Sequence, residues 1–150
     1  MWYIELAQVD HLKEILEINL MIDYENPDNF IKDCLEKWHV SVYIEENKVK
    51  AFSLYQAIWG NTLFLALVKV LPEFLGNGIG TSLIENFEKK MKSEWYKKYI
   101  SSTEKVNILS QEFHKKFMIP RNRTSNSTSW TRNLLWKRYI KKSENTVYDN

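Results

Sequence analysis

The stretch Val68-Lys69-Val70-Leu71-Pro72-Glu73-Phe74-Leu75-Gly76-Asn77-Gly78-Ile79-Gly80-Thr81-Ser82-Leu83-Ile84 decides how this chain is read. Three of the chain's 4 glycines, Gly76, Gly78 and Gly80, fall within five residues of it. An apolar run, Leu63 to Val70, leads in, and an amphipathic stretch, Thr81 to Glu88, leads out. That succession reads as a strand, a tight turn and a helix start. Glycine lets the backbone turn sharply and approach another group closely. The first N–H groups of a helix have no partner inside it and favour an anion. Residues 70–84 therefore read as an anion cradle.

Upstream, Trp2 to Ala7 reads as a first strand. Asp10 is the expected cap of a helix to about Met21, with Leu12, Ile15, Leu16 and Leu20 on its inner face. Asn26-Pro27-Asp28 turns the chain into a second helix, to about Trp38, with Phe30, Ile31, Cys34 and Leu35 inward. Val40–Ile44, Val49–Ile58 and Thr62–Val70 read as an antiparallel meander, turned at Glu45–Lys48 and Gly60-Asn61. Downstream, a helix is expected from Gly78 to Trp95, then a short strand at Tyr99–Thr103. A helix from Asn107 to Phe117 follows, with Ile108, Leu109, Phe113 and Phe117 inward, and Pro120 breaks it. Arg121–Ser129 reads as a loop and Trp130–Ile140 as a last strand. The expected class is α/β: a mixed, mostly antiparallel twisted sheet flanked by helices.

At 150 residues a single domain is expected, spanning 1–142, with a polar tail at 143–150. No apolar run is long enough to span a bilayer. Met1-Trp2-Tyr3-Ile4-Glu5 has neither the basic nor the apolar region of a signal peptide. The single cysteine, Cys34, excludes an internal disulfide framework, and His11 and His39 have no metal-ligand spacing. A cytoplasmic location and no bound metal are expected.

Net charge is +2, but residues 1–85 carry 6 basic and 13 acidic side chains and residues 86–150 carry 15 and 6. The second half therefore suits a polyanion, either nucleic acid or a phosphorylated cofactor. The alternative for these lysines is a set of solvated helix faces, and nucleic acid is the weaker reading. A nucleotide P-loop needs a lysine after its last glycine, and here Thr81 follows. A dinucleotide fold needs the turn near the chain start and an acid about 20 residues on, at the end of a second parallel strand. Here the turn follows an antiparallel meander.

The quoted stretch resembles the acyl-CoA-binding motif of the GNAT superfamily of N-acetyltransferases, loosely Val-x-Pro-Glu-Tyr-Arg-Gly-x-Gly-Ile-Gly-Thr-x-Leu. Asn107-Ile-Leu-Ser110-Gln-Glu-Phe113-His114-Lys115-Lys116-Phe117 resembles a second family segment, Asn-x-x-Ala-x-x-Phe-Tyr-Glu-Lys-Leu. The resemblance implies acetyl-CoA as acyl donor and an amine as acceptor. It also implies cofactor contacts from Val68, Lys69, Val70, Gly76, Asn77, Gly78, Ile79, Gly80, Thr81 and Asn107. The three glycines would clear side chains from the pyrophosphate, and the backbone of Val68 and Val70 would bond the pantetheine arm. Asn107 would touch the pantetheine, cap its helix, or do both. Leu75 stands where the family carries arginine or glutamine, so weaker cofactor binding is expected.

Acetyl transfer to an amine requires a neutral nucleophile, a polarised carbonyl and a proton for the leaving thiolate. The resemblance places the proton donor at the position of His114, where the family usually has tyrosine. Two roles are open to His114: proton donor, or a cleft histidine with no proton role. Leu63–Val70 and Tyr99–Thr103 carry no acid; Glu104, one step past the short strand, is the nearest base candidate, and a water chain is the alternative carrier of the proton. Asp23, Glu25 and Asp28 border the expected acceptor region, and Tyr24 and Trp59 are candidates for its walls. Cys34 reads as core. A homodimer pairing through the last strand is a further expectation. The alternative reading is a non-catalytic acyl-CoA-binding module of the same fold.

Overall fold

Alternating apolar residues build a sheet whose two faces each receive helices. The computed structural model describes residues 1–22, 28–37, 39–60, 62–94, 96, 98–104, 108–117, 119–120 and 132–138. Its strands are β1 (Trp2–Leu6), β2 (Val40–Glu45), β3 (Lys48–Trp59), β4 (Thr62–Val70), β5 (Lys98–Glu104), β6 (Ile119–Pro120) and β7 (Arg132–Arg138). Its helices are α1 (Leu12–Ile22), α2 (Asp28–Glu36), α3 (Ile79–Ser93) and α4 (Ile108–Phe117). The strands form one sheet in the order β1-β2-β3-β4-β5-β7-β6. Among the described residues only β4 and β5 pair in parallel; the other pairs are antiparallel.

One face carries α1 and α2. There Ile15, Ile18, Ile31, Cys34 and Leu35 meet Val40, Val42, Ile44, Phe52 and Leu54. The other face carries α3. There Ile84, Phe87 and Met91 meet Tyr55, Leu63, Leu65 and Tyr99, while Ile79 and Leu83 meet Tyr43 and Ala51. Each such aliphatic or aromatic side chain contributes about 1.5–3 kcal/mol by leaving water. The Phe87 ring sits 4.8 Å from that of Tyr55 and 4.9 Å from that of Tyr99. The Tyr99 hydroxyl donates to Glu88 Oε1 at 2.9 Å and so ties β5 to α3.

The strand, helix and sheet class follow the sequence expectation, and several local readings are corrected. Asp10 does not cap α1; it lies inside a 3-10 turn, Val9–His11. Gln8 precedes that turn, and its N–H donates to His11 Nδ1 at 3.0 Å. The inner face of α1 is Ile15, Ile18 and Asn19, with Leu12 and Leu16 partly buried and Leu20 exposed. Asn19 takes an inward position because its Oδ1 accepts from Lys69 Nζ on β4. On α4, Ile108 and Leu109 are exposed, and the strip turned inward is Ser110, Phe113 and His114. Pro120 does not merely break α4; with Ile119 it pairs with β7. Glu104 is the last residue of β5 rather than one step beyond it, opposite Arg132. α3 ends at Ser93.

The last strand finds its partners within the chain, along seven positions of β5 and two of β6. The expected loop at 121–129, the tail at 143–150 and Asn26-Pro27 lie outside the described residues. No helix among the described residues is long and apolar enough to cross a membrane.

Candidate active site

The central opening comes from a bulge. On the β3 side, Leu54 pairs with Leu67 and Tyr55 with Leu65, so Ala66 is left without a rung. An extra residue bends a strand and increases its twist. On the other side, β4 and β5 pair only from Thr62↔Lys98 to Leu65↔Ser101. Among the described residues no rung joins them beyond that point, although β4 runs on to Val70 and β5 to Glu104. The edge of β4 from Ala66 to Val70 is therefore open toward β5, with backbone groups available to an extended ligand.

The cradle lies at the end of that edge. Leu71 N–H donates to Lys50 O at 2.9 Å, holding the strand to its exit. Pro72–Phe74 form a 3-10 turn, and Lys50 Nζ lies 4.7 Å from the centre of the Phe74 ring. Leu75, Gly76, Asn77 and Gly78 are all exposed. Gly76 (φ 81°) and Gly78 (φ 78°) adopt the left-handed conformation that glycine takes without penalty. Gly78 is the N-cap of α3; it has no side chain to offer, and the first turn holds no acid. The N–H groups at that end, with the positive end of the helix dipole, are thus presented to an anion.

Gly80 has a different reason to be glycine. A Cβ there would lie 3.1 Å from Phe113 Cε2, whereas one on Gly76 or Gly78 would meet nothing within 4 Å. The space Gly80 leaves is filled by the Phe113 ring, not kept clear for a ligand. This corrects the expectation that all three glycines clear room for pyrophosphate. It also links the two motifs, since α4 packs against the first turn of α3 through this contact.

Lys69 turns its side chain toward α1. It is buried, and its Nζ donates to Asn19 Oδ1 on α1 at 2.7 Å. Its backbone remains on the open strand between Val68 and Val70. Ile79 is buried in the core and Thr81 is half-buried in the first turn of α3. Asn107, Asp23, Tyr24 and Glu25 lie outside the described residues. Asp28 opens α2, Trp59 ends β3 and Glu104 ends β5.

His114 is 9 % exposed and Ser101 3 %. Ser110 O lies 2.6 Å from His114 Nδ1, and a carbonyl only accepts, so Nδ1 carries a proton. Ser101 Oγ lies 2.8 Å from Nε2. Burial holds the imidazole below its usual value of 6.5, against a smaller upward pull from the Ser110 carbonyl. The resting ring is thus neutral, and the Ser101 hydroxyl donates to Nε2. Ser101 is also the last β5 residue paired with β4, so the pair sits where the strands part. Sequence reasoning missed Ser101. Nothing in a polar Ser101-Ser102-Thr103 run marks which hydroxyl faces α4.

The other singled-out residues serve the frame. Cys34 is buried, and desolvation pushes its thiol up and keeps it protonated. His39 packs its ring 5.8 Å from that of Tyr55, and burial first, then Lys90 and Lys37, lower its pKa.

No curated protein matches the sequence. Solved structures do resemble the fold. Ard1 from Thermoplasma volcanium aligns with a TM-score of 0.81 at 16% identity, covering 93% of this chain and 98% of its own. The ribosomal-protein-S18-alanine N-acetyltransferase from Escherichia coli aligns at 0.79 and 12% identity, covering 99% and 100%. The PaiA N-acetyltransferase from Thermoplasma acidophilum, in complex with coenzyme A, aligns at 0.72 and 16% identity, covering 93% and 99%. At these identities the likeness establishes the fold. The family model described as Acetyltransferase (GNAT) family matches residues 8–118, which include the open β4 edge, the glycine turn and α4, and the chain belongs to that family.

Proposed function

We propose that this protein moves an acetyl group from acetyl-CoA directly to a primary amine of a small molecule or peptide. The observation that carries this reading is the opening of β4 from β5 at Ala66, continuous with the uncapped N-terminus of α3. The open edge suits the amide groups of pantetheine. In this reading the backbone of Val68, Lys69 and Val70 pairs with them as an added strand. The pyrophosphate lies on the N–H groups from Gly76 to Thr81, and Asn107 contacts the arm. A backbone N–H of the same strand polarises the thioester carbonyl. The coenzyme A held by the PaiA acetyltransferase supports this donor. The Escherichia coli relative named for alanine acetylation puts peptide N-termini on the acceptor panel.

His114 is the titratable side chain that α4 brings to the point where the strands part. Glu104, at the end of β5, remains the candidate carboxylate base. The protein is taken to work in the cytoplasm, where acetyl-CoA is available.

Isothermal titration with acetyl-CoA tests the donor site; absence of binding at millimolar ligand overturns it. CoA release with a panel of polyamines, aminoglycosides and short peptides tests transfer. Binding without turnover across that panel would replace the enzyme by an acyl-CoA-binding module. The exposed Leu75, which offers a phosphate no charge, favours that second reading.

A further inference from the structure

Transfer of an acetyl group to an amine moves one proton from nitrogen to sulfur. Both atoms are bonded to the same carbon in the tetrahedral intermediate, so one hydroxyl beside that carbon can serve both. Resting on the reading that the thioester lies where β4 and β5 part, we propose that Ser101 is a catalytic residue, the near end of a proton shuttle whose far end is His114.

The geometry sets the direction of the shuttle. Nδ1–H is held by the Ser110 carbonyl at 2.6 Å, so only Nε2 exchanges a proton. Nε2 already accepts from Ser101 Oγ at 2.8 Å, so any proton reaching or leaving the ring passes through that oxygen. The resting imidazole is thus a base, not a stored acid. The amine nitrogen bonds to the thioester carbon and passes a proton to Ser101 Oγ, as the hydroxyl proton moves to Nε2. The C–S bond then breaks. Nε2 returns its proton to Oγ, and Oγ delivers one to the departing sulfur. The ring ends neutral with Nδ1–H still on Ser110, and no further reactant is needed. The Nδ1 contact orients the ring as a carboxylate does in a serine–histidine–acid triad, without adding charge.

The surroundings favour a neutral resting ring. From β5 come Ser101 and, two residues back on the same face, the Tyr99 hydroxyl, which is bonded to Glu88 of α3. From α4 come Ser110 and the edge-on Phe113 ring, whose centre lies 6.0 Å from that of His114. The charged neighbours on α4, Glu112, Lys115 and Lys116, are exposed. Burial and the Ser110 carbonyl alone shift the imidazole, and burial is the larger cause.

The shuttle therefore predicts activity that rises with pH as the ring loses its second proton. A histidinium donor predicts a fall. The assay follows CoA release from acetyl-CoA with methoxyamine, a small amine too weakly basic to be ionised in the range where the imidazole titrates, beside titration calorimetry with acetyl-CoA. Ser101→Ala and His114→Gln should each lower kcat by about 100-fold or more. Acetyl-CoA affinity should stay within about 2-fold, because neither side chain belongs to the cradle. His114→Gln should also abolish the acid limb of the wild-type profile. Ser101→Thr, which keeps the hydroxyl, should restore most of the rate. Unchanged turnover in Ser101→Ala, a rate that falls with rising pH, or no rescue by threonine overturns the shuttle while leaving the transfer reading intact. Wild-type protein that binds acetyl-CoA without turnover overturns the shuttle and points to the binding module. Loss of binding in the wild type overturns the donor site itself.

Discussion

The two halves of β4 have opposite fates. From Thr62 to Leu65 the strand is paired on both sides, and Leu63 and Leu65 are buried against α3. From Ala66 to Val70 its strand partner among the described residues is β3 alone. Val68 and Val70 are there only half-buried. The closed half shows what the chain does when stability alone is served. The open half forgoes the rungs that Ser102, Thr103 and Glu104 of β5 could have made, each hydrogen bond worth on the order of 0.5–1.5 kcal/mol net. A sheet keeps such a gap only if something else fills it, and a strand-like ligand is the natural filler. The comparison teaches that a site can be made by ending a pairing rather than by adding residues.

Substitutions on the two halves should therefore separate stability from binding. The largest stability effect is expected at Phe87, which underlies the closed half. Phe87→Ala should lose about 3–5 kcal/mol in urea unfolding. If acetyl-CoA affinity then collapses while the fold persists, the two halves are not independent. Gly78→Ile should do the reverse at the open end. Left-handed backbone costs a residue with a side chain roughly 1–2 kcal/mol. The new side chain would stand over the N–H groups of α3, so calorimetry should show binding lost. Retained affinity would move the phosphates elsewhere.

Gly80→Ala should cost about 1 kcal/mol of stability through its contact with Phe113. Phe113→Leu in the same molecule should recover part of it, a coupling read from the double-mutant cycle. Strict additivity would show that Gly80 is not a packing glycine. The smallest effect is the pH slope from His114. Its folded pKa lies below 6.5, so the unfolded chain binds more protons in that window. Its contribution to stability is full above the unfolded value and is lost as pH falls through the folded one. His39 is shifted the same way and adds to the slope. His114→Gln should flatten the fall in urea midpoint between neutral pH and about pH 5.

Most of the frame was legible because its signals are local. The β2 to β4 alternation, the glycine turn and the Phe30, Ile31, Cys34, Leu35 strip of α2 can each be read within one element. What was not legible depends on contacts between elements. Leu20, Ile108 and Leu109 fit an apolar strip, yet all three are exposed, because the register of each helix on the sheet decides its inner face. The buried polar residues Asn19, Lys69 and Ser101 are the converse case. Each is tolerated because a partner on another element bonds it, and no spacing rule places residues 50 positions apart in contact. The glycine turn before α3 is a run of backbone and so was visible. The Ser101–His114 hydrogen bond runs between β5 and α4 and was not. Gly80 lies between these cases: visible as glycine, with the wrong reason attached.

The placement of β7 also has a consequence for how the protein is made. β5 has four rungs with β4 but seven with β7, and β7 is the last of these strands to be synthesised. While residues 132–138 are still in the ribosome, β5 presents an uncovered strand edge, a surface prone to pairing with other chains. A nascent chain halted before β7 should therefore be aggregation-prone, and release of that last strand should act as the clasp that ends this exposure.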